Sequence, residues 1–486
     1  MIVSTGLLGR WALLVIVTLL SACTTLPHGS GLPVPFSRSL ELSGIPPSAV
    51  ALDVRALDGQ VLASHNQQLA FNPASVMKLV TTAAALDLLG PDYRWITRVY
   101  AQGPLIGDVL NGDLIIQGGG DPRLAHEDLS RLLRRLRSLG VREIQGDLVV
   151  DRSLFQTTLE DAAAFDGLPY RAYNALPDAL LLDAKAISLR FFPDAQTQSV
   201  HVAMEPPMVD FVIEPPKLDI PKFDTSKLDT QVCTNWREKL GAVVHPSSVH
   251  FSGSYSLDCG ERVLVLHAHT LSHARYFDAV FRQLWRELGG SINGVMREEK
   301  KLESASELLQ WESPTLAQII RDINKHSNNV MARQLLISLA TSPTITAATP
   351  EAGAAQAKAW LDTLGVNSKT VVIENGSGLS RQERLSADTL SKVLYHAWHS
   401  PYMPEFIASL PMVGVDGTMI RTLKNSAVKT RAHIKTGSLN DVASIAGYVK
   451  AKSGRWISVV CMINHPEANS ARTSFNELLE WIYEHY

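Results

Sequence analysis

Asn72-Pro73-Ala74-Ser75-Val76-Met77-Lys78-Leu79-Val80-Thr81-Thr82-Ala83-Ala84-Ala85-Leu86 is the stretch on which the reading of the chain turns. Asn and Pro end an extended approach, and the Ala- and Leu-rich run behind them predicts a buried helix with Ser75 in its first turn. Three residues apart on a helix, Ser75 and Lys78 share a face, at the positive end of the helix dipole. A hydroxyl beside an amine that has lost its proton makes a nucleophile and its base. The same spacing recurs at Ser426 and Lys429, where no long apolar helix follows. The pattern therefore gains chemical meaning only from its surroundings.

Upstream, Ser48 to Arg55 and Gln60 to Ser64 predict a hairpin turning at Asp58-Gly59, which delivers the chain to Ser75. Downstream, strands are expected at 97–101, 113–117 and 146–150, with a helix over 127–139 between the last two. Gly118-Gly119-Gly120 lacks the spacing and the Lys-Ser/Thr ending of a phosphate loop and reads as a tight turn. Paired prolines between Glu205 and Phe223 argue against a central strand there, and short strands to about Val265 suggest a small β-rich unit. Helices are expected at 276–288, 315–323 and 354–364, and a loop over 343–353. Strands at 432–435, 443–449 and 456–463 and a final helix over 470–483 complete the chain.

With 486 residues, 45% hydrophobic and 19% charged, the chain has material for two or three domains. A net charge of -3 gives no reason to expect nucleic acid. Arg10 and the apolar run Trp11 to Leu20 read as a signal peptide (1–22), too short to span a bilayer comfortably. Leu20-Ser21-Ala22-Cys23 resembles a lipobox, which implies lipidation at Cys23, a tether over 23–42 and an outer-membrane lipoprotein facing the periplasm. Conventional cleavage to a soluble periplasmic protein is the other reading. An exported chain permits a disulfide between Cys233 and Cys259, whereas Cys461, in an apolar run, reads as a buried thiol. His267 and His269 share a strand face, but no third ligand follows at metal spacing. No metal is expected.

Two further motifs carry chemistry. Ser327-Asn328-Asn329 puts a hydroxyl and an amide just before a helix, where they point into a cleft; the same Ser-x-Asn pattern also occurs at Ser291 and Ser474, and alone it reads as a helix cap. Lys435-Thr436-Gly437-Ser438 is expected at a strand end, where the glycine admits a close neighbour and the lysine and hydroxyls suit a carboxylate. In this order and context, Ser75-x-x-Lys78, Ser327-x-Asn329 and Lys435-Thr436-Gly437 resemble the motif set of penicillin-binding proteins and serine β-lactamases. The long gap before Ser327 makes the chain similar to the class C low-molecular-mass penicillin-binding proteins, the D-alanyl-D-alanine carboxypeptidase/endopeptidase family. Gly118-Gly119-Gly120-Asp121-Pro122, Val150 to Phe155, Asn375 to Arg381 and Lys435 to Leu439 extend the likeness from about Ser43 to the C-terminus.

The resemblance implies an α/β (α+β) fold: a transpeptidase domain with a five-stranded antiparallel sheet and helices (43–97 and 298–486), interrupted by inserted domain II (98–193 and 266–297) and domain III (194–265). It implies a penicillin-sensitive serine peptidase that removes terminal D-Ala from peptidoglycan stems, cuts crosslinks, or does both, with no cofactor. Ser75 would attack with Lys78 as its base, Ser327 and Lys435 would serve the leaving amine, and Asn329 would hold the substrate amide and Lys78. Backbone N–H groups of Ser75 and Ser438 would form the oxyanion hole, with Thr436 and Ser438 on the terminal carboxylate. Stem binding would fall to Arg381, to Asn440 where the family has Gln, and to Asp166 of the insertion. Two alternatives remain: a β-lactamase, although no Glu-x-x-Leu-Asn element follows Ser327, and a non-catalytic peptidoglycan-binding lipoprotein.

Overall fold

The computed structural model describes residues 29–156, 161–220, 233–341 and 347–486. The signal segment, the lipobox and Cys23 lie outside them. The approach to Ser75 is the hairpin β1 (Val50–Ala56) and β2 (Val61–His65). A 3-10 turn, Ala74–Val76, then leads into α1 (Met77–Leu89). Ser75 thus sits in the turn before the α-helix, because the Asn72 side chain accepts the Ala74 N–H at 2.9 Å and Ala74 takes a φ of 47°. Beyond a long middle section come α2 (Leu316–His326) and α3 (Asn329–Ser338). The chain ends with β3 (Ala432–Leu439), β4 (Val442–Lys450), β5 (Trp456–Asn464) and α4 (Ser474–His485).

These strands form one sheet in the order β2-β1-β5-β4-β3, all antiparallel, with the two-residue strand Gly29–Ser30 added parallel to β2. The expected five strands are there, and the sixth is a short edge. β1 and β5 pair from Val50↔Ile463 to Ala56↔Ile457, so both ends of the chain share one sheet. Alternate residues of β4 and β5 serve two cores. Ala446, Tyr448, Val460 and Met462 pack with α1, α2 and α3, while Ile445, Val449, Val459 and Cys461 pack with α4 and the helix Val34–Leu42. Burial on both faces explains why these strands read as unbroken apolar runs.

The middle section builds its own sheet, in the order Met296–Glu298, Leu148–Asp151, Asp113–Gln117, Ile96–Gln102, Ser306–Glu312. Helices His126–Ser138 and His273–Glu287 bury their apolar faces in the core beneath it. Pairing in this sheet extends to Glu312, past residue 297. Ala186–Asp194 pairs with Ser199–Glu205 and Arg262–His267, straddling residues 193 and 265. Among its described residues, the stretch rich in proline contributes only short edge strands, Val212–Glu214 and Lys217–Asp219. Cys233 and Cys259 are joined by a disulfide with Cα atoms 5.3 Å apart, beside an aromatic cluster of Phe191, Trp236, Phe251 and Tyr255.

Two local expectations change. Strand β3 does not stop near Lys435: β4 pairs along its whole length, from Ala432↔Val449 to Leu439↔Val442, so Lys435-Thr436-Gly437-Ser438 lies inside the strand. The helix expected from Ala354 starts at Pro350, because the Thr349 hydroxyl accepts the Ala352 N–H and caps it.

Candidate active site

Three distant motifs meet where α1, the α2–α3 junction and β3 converge. Lys78 and Lys435 are both 0% exposed. Lys78 Nζ lies 3.1 Å from Ser75 Oγ and 2.6 Å from Asn329 Oδ1, and it also donates to the Ser377 carbonyl. Lys435 Nζ donates to Ser327 Oγ at 2.8 Å and to the Thr436 carbonyl at 2.6 Å.

Local backbone explains how each group is aimed. Ser327 caps α2 in the left-handed region (φ 55°, ψ 41°), a conformation that costs a non-glycine residue on the order of 1 kcal/mol or more and turns its hydroxyl toward Lys435. The Asn328 side chain caps α3 by accepting from Met331 N–H at 3.1 Å, which leaves Asn329 as the first helical residue. Gly437 is required by proximity. A Cβ there would stand 2.3 Å from Ser444 Oγ, 2.8 Å from Ser75 N and 2.9 Å from the Pro73 carbonyl. β3 therefore lies directly against the nucleophile's turn.

Below the nucleophile, Asn72 and Asn464 exchange hydrogen bonds: Asn72 N–H to Asn464 Oδ1 at 2.8 Å, and Asn464 Nδ2 to the Asn72 carbonyl at 3.0 Å. Asn72 Nδ2 donates to the Ser380 carbonyl, tying the turn to the loop 375–382. Gly378 of that loop (φ 80°) could bear no side chain, since its Cβ would meet the Ala74 carbonyl at 1.9 Å.

Electrostatics favour neutral amines. Burial, reinforced by the Lys435 charge, holds the Lys78 pKa well below the usual lysine range, against an opposing pull from Glu383. Burial pushes Lys435 down to about 7. Glu383 is itself 0% exposed. Its Oε1 accepts the N–H groups of Glu374 at 3.3 Å, Asn375 at 3.1 Å and Gly376 at 2.8 Å. Burial raises its pKa, while those three donors and Lys78 hold it back. Sequence reasoning missed Glu383 and Ser377. A Glu in a polar loop carries no local sign of burial, and Ser377 acts through its carbonyl, which every residue has.

The same loop borders a cavity of about 390 Å³ lined by Asp161, Phe165, Arg333, Glu374 and Arg381, among others. Arg381 lies over the Phe165 ring at 5.1 Å and donates to Asp441 at 3.1 Å. Asp166 is outside this lining. Its carboxylate is occupied within its own loop by Leu168 N–H, Asn174 Nδ2 and the Tyr173 hydroxyl. Asp161 occupies the cavity wall instead. Asn440 is exposed in the turn between β3 and β4 and is not part of the lining. Away from this region, His267 donates to the Pro169 carbonyl, and burial pushes its pKa down to about 3. Cys461 is a wholly buried free thiol.

Comparison with known proteins agrees with this geometry. The model of the D-Ala-D-Ala carboxypeptidase 3 (S13) family matches residues 42–484. A D-alanyl-D-alanine carboxypeptidase of Actinomadura sp. (strain R39) is 30% identical over 431 residues, 85% of this chain and 77% of the relative. The D-alanyl-D-alanine carboxypeptidase DacB of Haemophilus influenzae is 25% identical over 410 residues, 83% of each chain. In fold, the crystal structure of penicillin binding protein 4 from Haemophilus influenzae superposes with a TM-score of 0.75 at 22% identity, covering 92% of this chain and 100% of that one.

Proposed function

The chain belongs to the D-Ala-D-Ala carboxypeptidase 3 (S13) family, and from that premise we propose that it hydrolyses the bond after the penultimate D-Ala of peptidoglycan stem peptides, through an acyl-enzyme on Ser75. One observation carries the reading. A neutral amine has two N–H bonds and one lone pair; Asn329 Oδ1 and the Ser377 carbonyl take the two N–H bonds of Lys78, and the lone pair is left for the Ser75 hydroxyl.

Ser75 Oγ attacks the D-Ala carbonyl carbon as its proton passes to Lys78 Nζ. The N–H groups of Ser75 and Ser438 receive the oxyanion, a contribution worth roughly 3 kcal/mol per donor. The C–N bond breaks as the leaving amine takes the Ser327 hydroxyl proton, and the proton that Ser75 gave to Lys78 is relayed back to Ser327, beside Lys435, so that Lys78 is neutral again to deprotonate the incoming water. Thr436 and Ser438 hold the terminal carboxylate. Water then cleaves the ester and restores Ser75. These residues need no metal or cofactor for any step. The acyl-side stem lies in the cavity with Arg381, where Asp161 takes the place expected of Asp166.

The separate sheets support a division into a catalytic unit and two insertions, and the pairing of Ser306–Glu312 with Ile96–Gln102 favours a catalytic unit that resumes at α2 over one that resumes at residue 298. Among the described residues no helix is long and apolar enough to cross a membrane. The Leu20-Ser21-Ala22-Cys23 sequence supports a lipid anchor on Cys23 and a place at the periplasmic face of the outer membrane, where crosslinked peptidoglycan is within reach. Labelling with a fluorescent penicillin tests the assignment: wild type labels covalently and Ser75→Ala does not. Equal labelling of both removes Ser75 from the mechanism, and rapid turnover of penicillin would mark a β-lactamase.

A further inference from the structure

A second cavity, of about 510 Å³, lies on the other flank of the catalytic cluster and meets the groups assigned above at Thr436, Gly437 and Ser438. Its walls are Thr436, Gly437 and Ser438 of β3, the turn 418–423, and the start of α4. Thr436 Oγ1 donates to Thr418 Oγ1 at 3.1 Å, fixing the turn to the strand. The charged residues of its lining are Arg421 and Arg472, with no carboxylate. Among the described residues neither arginine forms an ion pair. Arg472 is steadied by a 3.0 Å hydrogen bond from Nε to Asn469 Oδ1, which leaves its outer nitrogens for a ligand. The first cavity, by contrast, mixes Asp161 and Glu374 with Arg333 and Arg381.

This asymmetry matches the asymmetry of a crosslinked substrate. The acyl side of the scissile bond is a stem with both amine and carboxylate groups, which a mixed lining suits. The leaving side begins with an amine whose carbon bears a carboxylate, at Thr436 and Ser438. In a crosslink it continues into a second stem that carries further carboxylates, whereas free D-Ala ends there. Two arginines with no ion pair among the described residues, beside the carboxylate position and in a space of several residues' volume, suit such a group.

We propose that this cavity is the subsite for the leaving strand, and that Arg421 and Arg472 select peptide leaving groups that carry carboxylates beyond the one next to the scissile amide. The proposal rests on the acyl-enzyme reading above and adds no covalent step. It makes the two arginines determinants of crosslink cleavage as distinct from D-Ala release.

The test compares wild type with the double variant Arg421→Ala/Arg472→Ala on two substrates: an acylated peptide ending in D-Ala-D-Ala and a purified crosslinked muropeptide dimer. Removing two charge-assisted contacts is expected to lower kcat/KM on the dimer by about tenfold or more. D-Ala release and penicillin acylation should change by less than about threefold, the latter showing that the site is folded. Arg421→Lys/Arg472→Lys should recover part of the loss, and added salt should narrow the gap between wild type and the alanine variant. An unchanged rate on the dimer overturns the subsite. So does a parallel loss on both substrates with penicillin acylation intact, and so does a wild type that releases D-Ala yet leaves the dimer uncut. A wild type that neither releases D-Ala nor is acylated overturns the functional reading itself, and the subsite with it.

Discussion

Glu383 and Lys78 hold one loop from two sides: the carboxylate gathers the N–H groups of Glu374, Asn375 and Gly376, and the amine donates to the carbonyl of Ser377. An anion close to Lys78 favours its ammonium form. Glu383→Gln keeps an acceptor for the loop but removes the charge, so the Lys78 pKa falls and the acid limb of the acylation pH profile moves to lower pH. Glu383→Ala also strands the three N–H donors, of which that of Gly376 is buried, and should cost roughly 1–3 kcal/mol of stability in denaturant unfolding. A profile that stays in place in Glu383→Gln would show that the carboxylate is not felt at Lys78.

Lys435 should shift the same profile the other way. Its charge disfavours a proton on Lys78, so Lys435→Ala raises the Lys78 pKa and moves the acid limb upward. In the proposed mechanism Lys435 also serves the leaving amine, so the maximal rate should fall as well. The position of the limb, measured by stopped-flow acylation across pH 5 to 9 (roughly the span over which shifted lysines titrate), is the informative quantity.

Gly437→Ala places a methyl group against backbone atoms of Pro73 and Ser75. Backbone cannot rotate away as a side chain can, so β3 and the nucleophile's turn must separate. A displacement of about 1 Å at a reacting group costs on the order of 100-fold in rate. Acylation by penicillin should fall by that order, with circular dichroism and thermal unfolding close to wild type.

Asn464→Ala removes both partners of the Asn72 backbone at once. Leaving a buried N–H and a carbonyl unpaired costs roughly 1–3 kcal/mol, and the turn that presents Ser75 loses its fixed exit from β5. Urea unfolding should record the lost stability, and kcat should drop more than KM rises.

Reduction of Cys233–Cys259 tests how separate the β-rich insertion is from the chemistry. The bridge closes a loop with a sequence separation of 26, for which chain-entropy reasoning gives about 3 to 4 kcal/mol of stabilisation. The Cys233→Ser/Cys259→Ser variant should become protease-sensitive in the insertion, while penicillin labelling of Ser75 persists.

The sequence pointed to the groups that the structure brings together because each is a side chain within a short motif: Ser75 with Lys78, Ser327 with Asn329, Lys435 with Gly437. The strands β4 and β5 and the burial of Cys461 were likewise legible in their apolar runs. What stayed hidden depends on pairing and on backbone groups. The extension of β3 to Leu439 is set by β4 across the hairpin, and the membership of Ser306–Glu312 in the second sheet is set by a partner some 200 residues away. The Ser377 carbonyl has no signature at all. Asp166 and Asp161 are both acids in one loop, and only the hydrogen bonds of Asp166 to Tyr173 and Asn174 separate a structural carboxylate from one that faces the cavity.

The pairing of β1 with β5 also governs when the protein can act during its own synthesis. Val50 has no sheet partner until Ile463 has been made, and Asn72 has no mate until Asn464 follows it. Such distant pairing delays assembly of the pocket until β5 has been made. A chain cut short of β5 therefore carries Ser75 and Lys78 without a working reaction centre, and hydrolytic power over the cell wall waits on that strand.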